Sequence, residues 1–211
     1  MIEVIRKGEI PYPEADSWQR ELAIQRAEEK ISDTLLLLEH PRTVTLGRRE
    51  CSKDLKVSEE SLRSLGIPVI KTDRGGGATY HGPGQLVGYF IFKLGQKPIP
   101  VFVREIEELL IRLLRQFDLF AKRDPRYPGV WIGQGKIAAL GFHLERGVTR
   151  HGFALNVNPN LDDFKLITPC GIRDREVTSI HRELGVAPEM GEVRERLIEV
   201  LKIVGPSRRL P

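Results

Sequence analysis

Hydrophobic positions recur along the chain with two periods, one helical and one extended. Residues 16–32 place Trp18, Leu22 and Ala27 near one face and predict a helix. TLLLLEH (34–40) is a short apolar run bounded by turn formers, the pattern of a strand buried on both faces. TVTLG (43–47) alternates and can pair with it. VSEESLRSLG (57–66) predicts a short helix with Ser58 as N-cap and Gly66 as stop. IPVIKTD (67–73) and LVGYFIF (86–92) predict strands on either side of a glycine-rich stretch. The most regular segment is 99–117, where Phe102, Ile106, Leu109, Leu110, Leu113, Leu114 and Phe117 hold i, i+3, i+4 spacing on one helical face. VWIG, KIAALGFHLE and RHGFALNVN then predict strands joined by hairpin turns at GQG and ERG. A last helix, 189–204, turns Val193, Leu197, Val200 and Leu201 inward. Hairpins mixed with helices predict an α+β (mixed α/β) single domain over 1–204, with 205–211 a frayed tail.

The chain has 211 residues, enough for one domain, and its 40% apolar content supports a sizeable core. A formal net charge of +4 favours acidic partners, but no Lys/Arg run alternates with aromatics, so nucleic acid is not expected. Two cysteines, Cys51 and Cys170, make neither a disulfide framework nor a four-ligand metal site, and they suit a reducing cytoplasm. MIEVIRKGEI has no apolar signal core, and the apolar run Leu35–Leu38 is far too short for a membrane span. A cytoplasmic protein with no metal, no cofactor and no membrane partner is the expectation.

The chemistry gathers around RGGGATYHGPGQ (74–85), where six of twelve positions are Gly or Pro. A dinucleotide fingerprint needs its glycines to open a helix, and here a strand follows. A Walker loop fails too, because Gly135–Lys136 is followed by Ile137. The remaining reading is a loop between two strands with bare amides. Gly75, Gly76 and Gly77 then let a ligand press against the main chain, with Arg74, Tyr80 and His81 beside it. The bland alternative is a β-turn. GKIAALG (135–141) sets one lysine at the mouth of an apolar strand. RHGFALNVN (150–158) sets Arg150, His151, Asn156 and Asn158 on another. ITPCGI (167–172) holds Cys170 in a rigid, uncharged turn, where a small buried hydrophobe is the ordinary alternative. Cys51, in RRECSKD, reads as an incidental exposed thiol.

RGGGATYHGPGQLVGY, GKIAALGFHLERGVTRHGFALNVN and PCGI resemble the signatures of the lipoyl(octanoyl) transferases, the lipoate-protein ligase B family, from about Leu35 to Ile180. The resemblance implies the fold of the biotin and lipoate protein ligase catalytic domain, a mixed sheet flanked by helices. It implies transfer of an octanoyl group from acyl carrier protein to one lysine on lipoyl domains of dehydrogenase E2 subunits and of glycine-cleavage H protein; a monomer is a separate expectation. By position Cys170 corresponds to the thioester nucleophile and Lys136 to its paired lysine. The substrate-contacting segments correspond to Arg74, Gly75, Gly76, Gly77, Ala78, Thr79, Tyr80 and His81, to Ala139, Leu140 and Gly141, and to His151, Gly152 and Phe153.

Elementary chemistry supports those roles. A thiolate accepts an acyl group and releases it again, and the intermediate thioester stays activated without ATP. A free thiol has a pKa of ~8.5, and an ammonium about 4 Å away contributes roughly 4 kcal/mol at an effective dielectric of about 20, enough to lower it by up to ~3 units. Lys136, among apolar neighbours, would take the proton of the incoming amine in the second half-reaction. Candidate oxyanion donors are the amides of Leu140 or Gly141, or of 75–77. Tyr80 and Phe153 are expected as walls of the acyl slot, with His81 and His151 as polar contacts near the thioester. A Cys-His pairing is the competing nucleophile arrangement. Arg48, Arg49 and Lys53 form a basic cluster suited to docking acidic partners. The rival functions are an ATP-dependent lipoate or biotin ligase and a non-catalytic acyl-binding protein.

Overall fold

The computed structural model describes residues 2–49, 52–172 and 174–204, apart from the side chains of Ser52 and Cys170. Cys51 and the 205–211 tail lie outside the described residues. The chain opens with a strand, β1 (Glu3–Glu9), and α1 (Tyr12–Ala27). β2 (Thr34–Glu39), β3 (Thr43–Leu46), α2 (Glu59–Ser64), β4 (Val69–Lys71), β5 (Ala78–His81) and β6 (Gln85–Ile91) follow. α3 (Ile99–Arg115) leads to β7 (Lys122–Arg123), β8 (Val130–Ile132), β9 (Gly135–Glu145) and β10 (Val148–Asn156). β11 (Glu176–Val177), α4 (Ile180–Leu184) and α5 (Met190–Val204) close the described chain.

The large mixed sheet has the order β1-β2-β6-β10-β9-β8-β7, with β11 beside β9. β1 runs parallel to β2, β11 runs parallel to β9, and every other pair is antiparallel. A second sheet, β4-β3-β5, has three strands. The middle of β2, residues 35–38, is apolar throughout because helices cover both faces of the large sheet. Leu35 and Leu37 join the core under α3 and α5. Leu36 and Leu38 join the core under α1. Such a strand carries no period-two signal.

The face of α3 predicted from spacing is the buried one, from Phe102 to Leu114, and Val193, Leu197, Val200 and Leu201 of α5 pack against it. The face of α1 differs from expectation: Tyr12, Ala15, Gln19 and Leu22 are buried, while Trp18 and Ala27 are only partly so. Half that face is polar because it covers a polar part of the sheet; Gln19 Oε1 accepts the His151 amide at 2.7 Å. β1 escaped prediction because it is an edge strand with mostly exposed side chains. The ERG turn is a two-residue connection, with Arg146 at φ 50° and Gly147 at φ 76°, the backbone twist that a tight hairpin favours.

The small sheet is two-sided. Val44, Leu46, Ala78 and Tyr80 pack with Leu62, Ile67, Phe164 and Ile167 on its outer side. Thr45, Thr79 and His81 alternate to the other side, towards the large sheet. The space between the two sheets is the candidate site.

Candidate active site

The glycine stretch is half loop and half strand, since Ala78–His81 is β5. Arg74 folds over the loop. Its guanidinium donates to the Thr45 carbonyl at 2.8 Å, the Gly77 carbonyl at 2.8 Å and the Gly75 carbonyl at 3.0 Å. The expected bare amides are partly engaged: Gly75 N–H donates to Phe142 O at 2.9 Å. The loop carbonyls are used too, since Arg48 N–H donates to Arg74 O at 2.9 Å. What approaches the glycines is other protein. A Cβ on Gly141 would stand 2.8 Å from Gly75 O, and one on Gly77 would stand 2.6 Å from Asp54 Oδ2. Glycine there seats the loop on β9 and under the Arg49–Asp54 pair.

Opposite the small sheet, β9 and β10 present the cross-strand pairs Ala139–Ala154 and Gly141–Gly152, with Tyr89 of β6 alongside. These small residues leave two adjoining pockets of about 30 Å³ and about 10 Å³, sharing Thr79, Ala139 and Ala154. Arg74, Thr79, His81, Ala139, Leu140, Gly141, His151, Gly152 and Phe153 line the first. Lys136 lines the second, with Gln85, Asn156, Phe164, Pro169 and Val177. Gly75, Gly76, Gly77, Ala78 and Tyr80 line neither. Tyr80 is therefore corrected as a slot wall. Strand alternation turns it outward, where its hydroxyl donates to Asp163 at 2.7 Å and its ring meets Phe164 at 5.1 Å.

The polar groups behind the cleft are organised as two chains. His81 Nδ1–H donates to Gln85 Oε1 at 2.8 Å, Gln85 donates to Asn156 at 2.9 Å, and Asn156 donates to the Thr178 carbonyl at 2.9 Å. Burial, with the nearby charges of His40 and Arg74, pushes His81 well below the usual histidine range, so it is neutral. His151 sits at φ 63°, a left-handed conformation uncommon for a side-chain-bearing residue. Its Nε2–H donates to Asp73 Oδ1 at 2.7 Å, and Arg150 holds the other oxygen at 2.5 Å. Burial lowers His151 against the pull of Asp73. The bond from His151, joined by Arg150, holds the Asp73 carboxyl far below its ordinary value. Asp16, Asp73 and His151 bring ligand-type atoms within 4.8 Å of one another, but Arg20 and Arg150 already pair with both carboxylates.

His151 lies far from Lys136 along the sheet. It pairs with Phe142, six residues along β9 from Lys136, or roughly 20 Å at ~3.3 Å per residue.

Lys136 is the second residue of β9 and is 7% exposed. Its Nζ lies 5.0 Å from the centre of the Trp131 ring, within cation–π range. Val177 of β11 pairs with Lys136, and Thr178 N–H donates to its carbonyl at 3.0 Å. The Cys170 backbone lies in a single 3₁₀ turn, Pro169–Gly171, and its side chain falls outside the described residues. Pro169 lines the same pocket as Lys136.

Asp54 ties this turn to the glycine loop. Its carbonyl accepts Thr168 N–H at 2.6 Å, and its carboxylate takes Arg49 at 2.8 Å. A Cβ on Gly171 would stand 2.8 Å from Arg49 Nη2, so Arg49 is wedged between the two loops. The expected basic docking cluster is split accordingly, with Arg49 committed to Asp54. Sequence reasoning missed Trp131, Asp54, Asp73 and Gln85. No motif marks them, because their roles come from contacts made across the fold.

The chain matches the family described as the lipoyl protein ligase A/B catalytic domain over residues 11–202, and it belongs to that family. Among its relatives, the octanoyltransferase of Chloroflexus aurantiacus is 50% identical over 90% of this chain and 88% of the relative. The octanoyltransferase of Caldicellulosiruptor bescii is 48% identical over 93% and 88%. The fold resembles a bipartite lipoate protein ligase from Thermoplasma acidophilum, with a TM-score of 0.74 at 21% identity over 97% of this chain and 84% of that one. It also resembles the biotin protein ligase of Aquifex aeolicus, with a TM-score of 0.53 at 14% identity over 96% and 68%. The expected ligase-like mixed α/β architecture is thus found. Among the described residues no helix is long and apolar enough to cross a membrane.

Proposed function

We propose that this chain transfers an octanoyl group from octanoyl-acyl carrier protein to a lysine of lipoyl domains, on dehydrogenase E2 subunits and H protein, acting as a cytoplasmic monomer. The observation that carries the reading is its 50% identity to an octanoyltransferase over 90% of the chain. The shared pocket of Lys136 and Pro169 supports it. In the first half-reaction the Cys170 thiolate attacks the thioester carbonyl and the carrier thiolate departs. In the second, the acceptor lysine amine attacks the Cys170 thioester, the amide forms, and the Cys170 thiolate is released. Lys136, as an ammonium, stabilises the Cys170 thiolate and gives its proton to the departing carrier thiolate; as a neutral amine it then accepts the proton that the attacking acceptor amine loses, which restores the ammonium beside the released Cys170 thiolate. Thr79, Ala139, Gly141, Gly152 and Ala154 give the acyl chain a low-relief track. The pockets themselves, of about 30 and 10 Å³, hold only about one or two waters.

The test is to mix the protein with octanoyl-carrier thioester without ATP and measure intact mass. An octanoyl adduct that Cys170→Ser abolishes supports the reading. An absolute requirement for ATP, with Cys170→Ser active, would establish a ligase instead. Lys136→Ala should lower kcat/KM by about 10²–10⁴-fold, the range of a lost acid–base group.

A further inference from the structure

Outside the cysteine turn lies an open groove of about 780 Å³. Five cations line it, Lys53, Lys56, Lys165, Arg175 and Arg182, against Asp162 and Glu176, an excess of three positive charges (five less two). Lys165 pairs with Asp162 at 2.6 Å and Arg182 with Glu176 at 3.3 Å, while Arg175 pairs with Asp124 at 3.2 Å. Lys53 and Lys56 are exposed and make no ion pair among the described residues. The segment bearing them is anchored, because Lys56 N–H donates to Leu166 O at 3.0 Å and Leu55 bridges to Ile167. The floor includes Phe164, Ile172 and Val177. Phe164, Pro169 and Val177 also line the Lys136 pocket, so the groove adjoins that pocket.

A cationic rim over an apolar floor suits a slender arm that is anionic at its outer end and carries its reactive group at the inner one. The acceptor brings a lysine ammonium, which an unpaired cationic rim repels. We infer that this groove seats the acyl donor's thioester arm, with the arm's phosphodiester on Lys53 and Lys56 and an acidic carrier protein as its source. The inference rests on the proposed octanoyl transfer.

The experiment compares octanoyl-carrier protein with octanoyl-pantetheine, which lacks the phosphate, in the full chain and in the double variant Lys53→Glu/Lys56→Glu. The carrier donor should lose about tenfold in kcat/KM (about 1.4 kcal/mol), with pantetheine turnover and the lipoyl-domain KM within about twofold. Unchanged pantetheine turnover also shows that the variant folds. Equal loss with both donors, no loss with either, or a shift confined to the lipoyl-domain KM overturns the assignment. If the unaltered chain transfers octanoate from neither donor, the underlying reading fails. If it uses both donors and the variant changes nothing, only the groove assignment fails.

Discussion

A single residue controls where the Lys136 side chain can lie. Gly129 sits at φ 137°, and a Cβ there would stand 2.8 Å from both Ala138 O and Lys136 Cε. The lysine stem could shift, but the strand carbonyl cannot, and the dihedral itself disfavours any side chain. Gly129→Ala should therefore cost about 1–3 kcal/mol of stability from backbone strain and displace Lys136 from Trp131. The expected outcome is a fall of at least about tenfold in kcat/KM, equivalent to about 1.4 kcal/mol, measured beside a urea unfolding curve. Unchanged kcat/KM would mean that Lys136 does not depend on this contact. Nothing in YPGVWIG announces the constraint, since the lysine lies seven residues downstream and reaches Gly129 only through β8–β9 pairing.

At the scale of elements, the outer layer of the small sheet hangs on Asp163. It accepts Tyr80 Oη–H at 2.7 Å and binds Arg42 through both oxygens, at 2.7 and 3.0 Å. Asp163→Ala leaves a buried hydroxyl without its acceptor and should destabilise the protein by about 1–3 kcal/mol, read from the urea midpoint. The part that remains folded should keep its kcat, because Tyr80 faces away from the cleft. The long helices and the β9–β10 hairpin were legible because their periods are long and their turn glycines explicit. β5 and the outward aim of Tyr80 were not: Ala78 and Tyr80 share one face of the strand and Thr79 and His81 the other, and a four-residue strand does not say which of the two faces the cleft.

For the molecule as a whole, the buried histidines set its response to acid. His40 donates through Nδ1 to the Ile10 carbonyl and accepts Tyr89 Oη–H, both at 2.6 Å, and burial lowers it to about 4. His81 is lowered as well. The unfolded chain takes up these protons from about pH 6.5 downwards, whereas folded His40 resists until about pH 4. The stabilisation is complete above about pH 6.5 and is lost as the pH falls towards 4. His40 alone, lowered from 6.5 to about 4, accounts for about 3 kcal/mol. Urea unfolding across that window should show the decline, and His40→Asn should flatten it while lowering stability at neutral pH. A slope unchanged by His40→Asn would place the titration elsewhere. The sequence alone determined the family, the mixed architecture, the buried faces of α3 and α5 and the identity of Cys170 and Lys136 as candidates, because periodicity and motif order are local properties of a chain. Only the tertiary structure decided that the glycines admit neighbouring backbone, that Asp73 holds His151 and that Trp131 underlies Lys136, because each depends on segments that meet only after the sheets have formed.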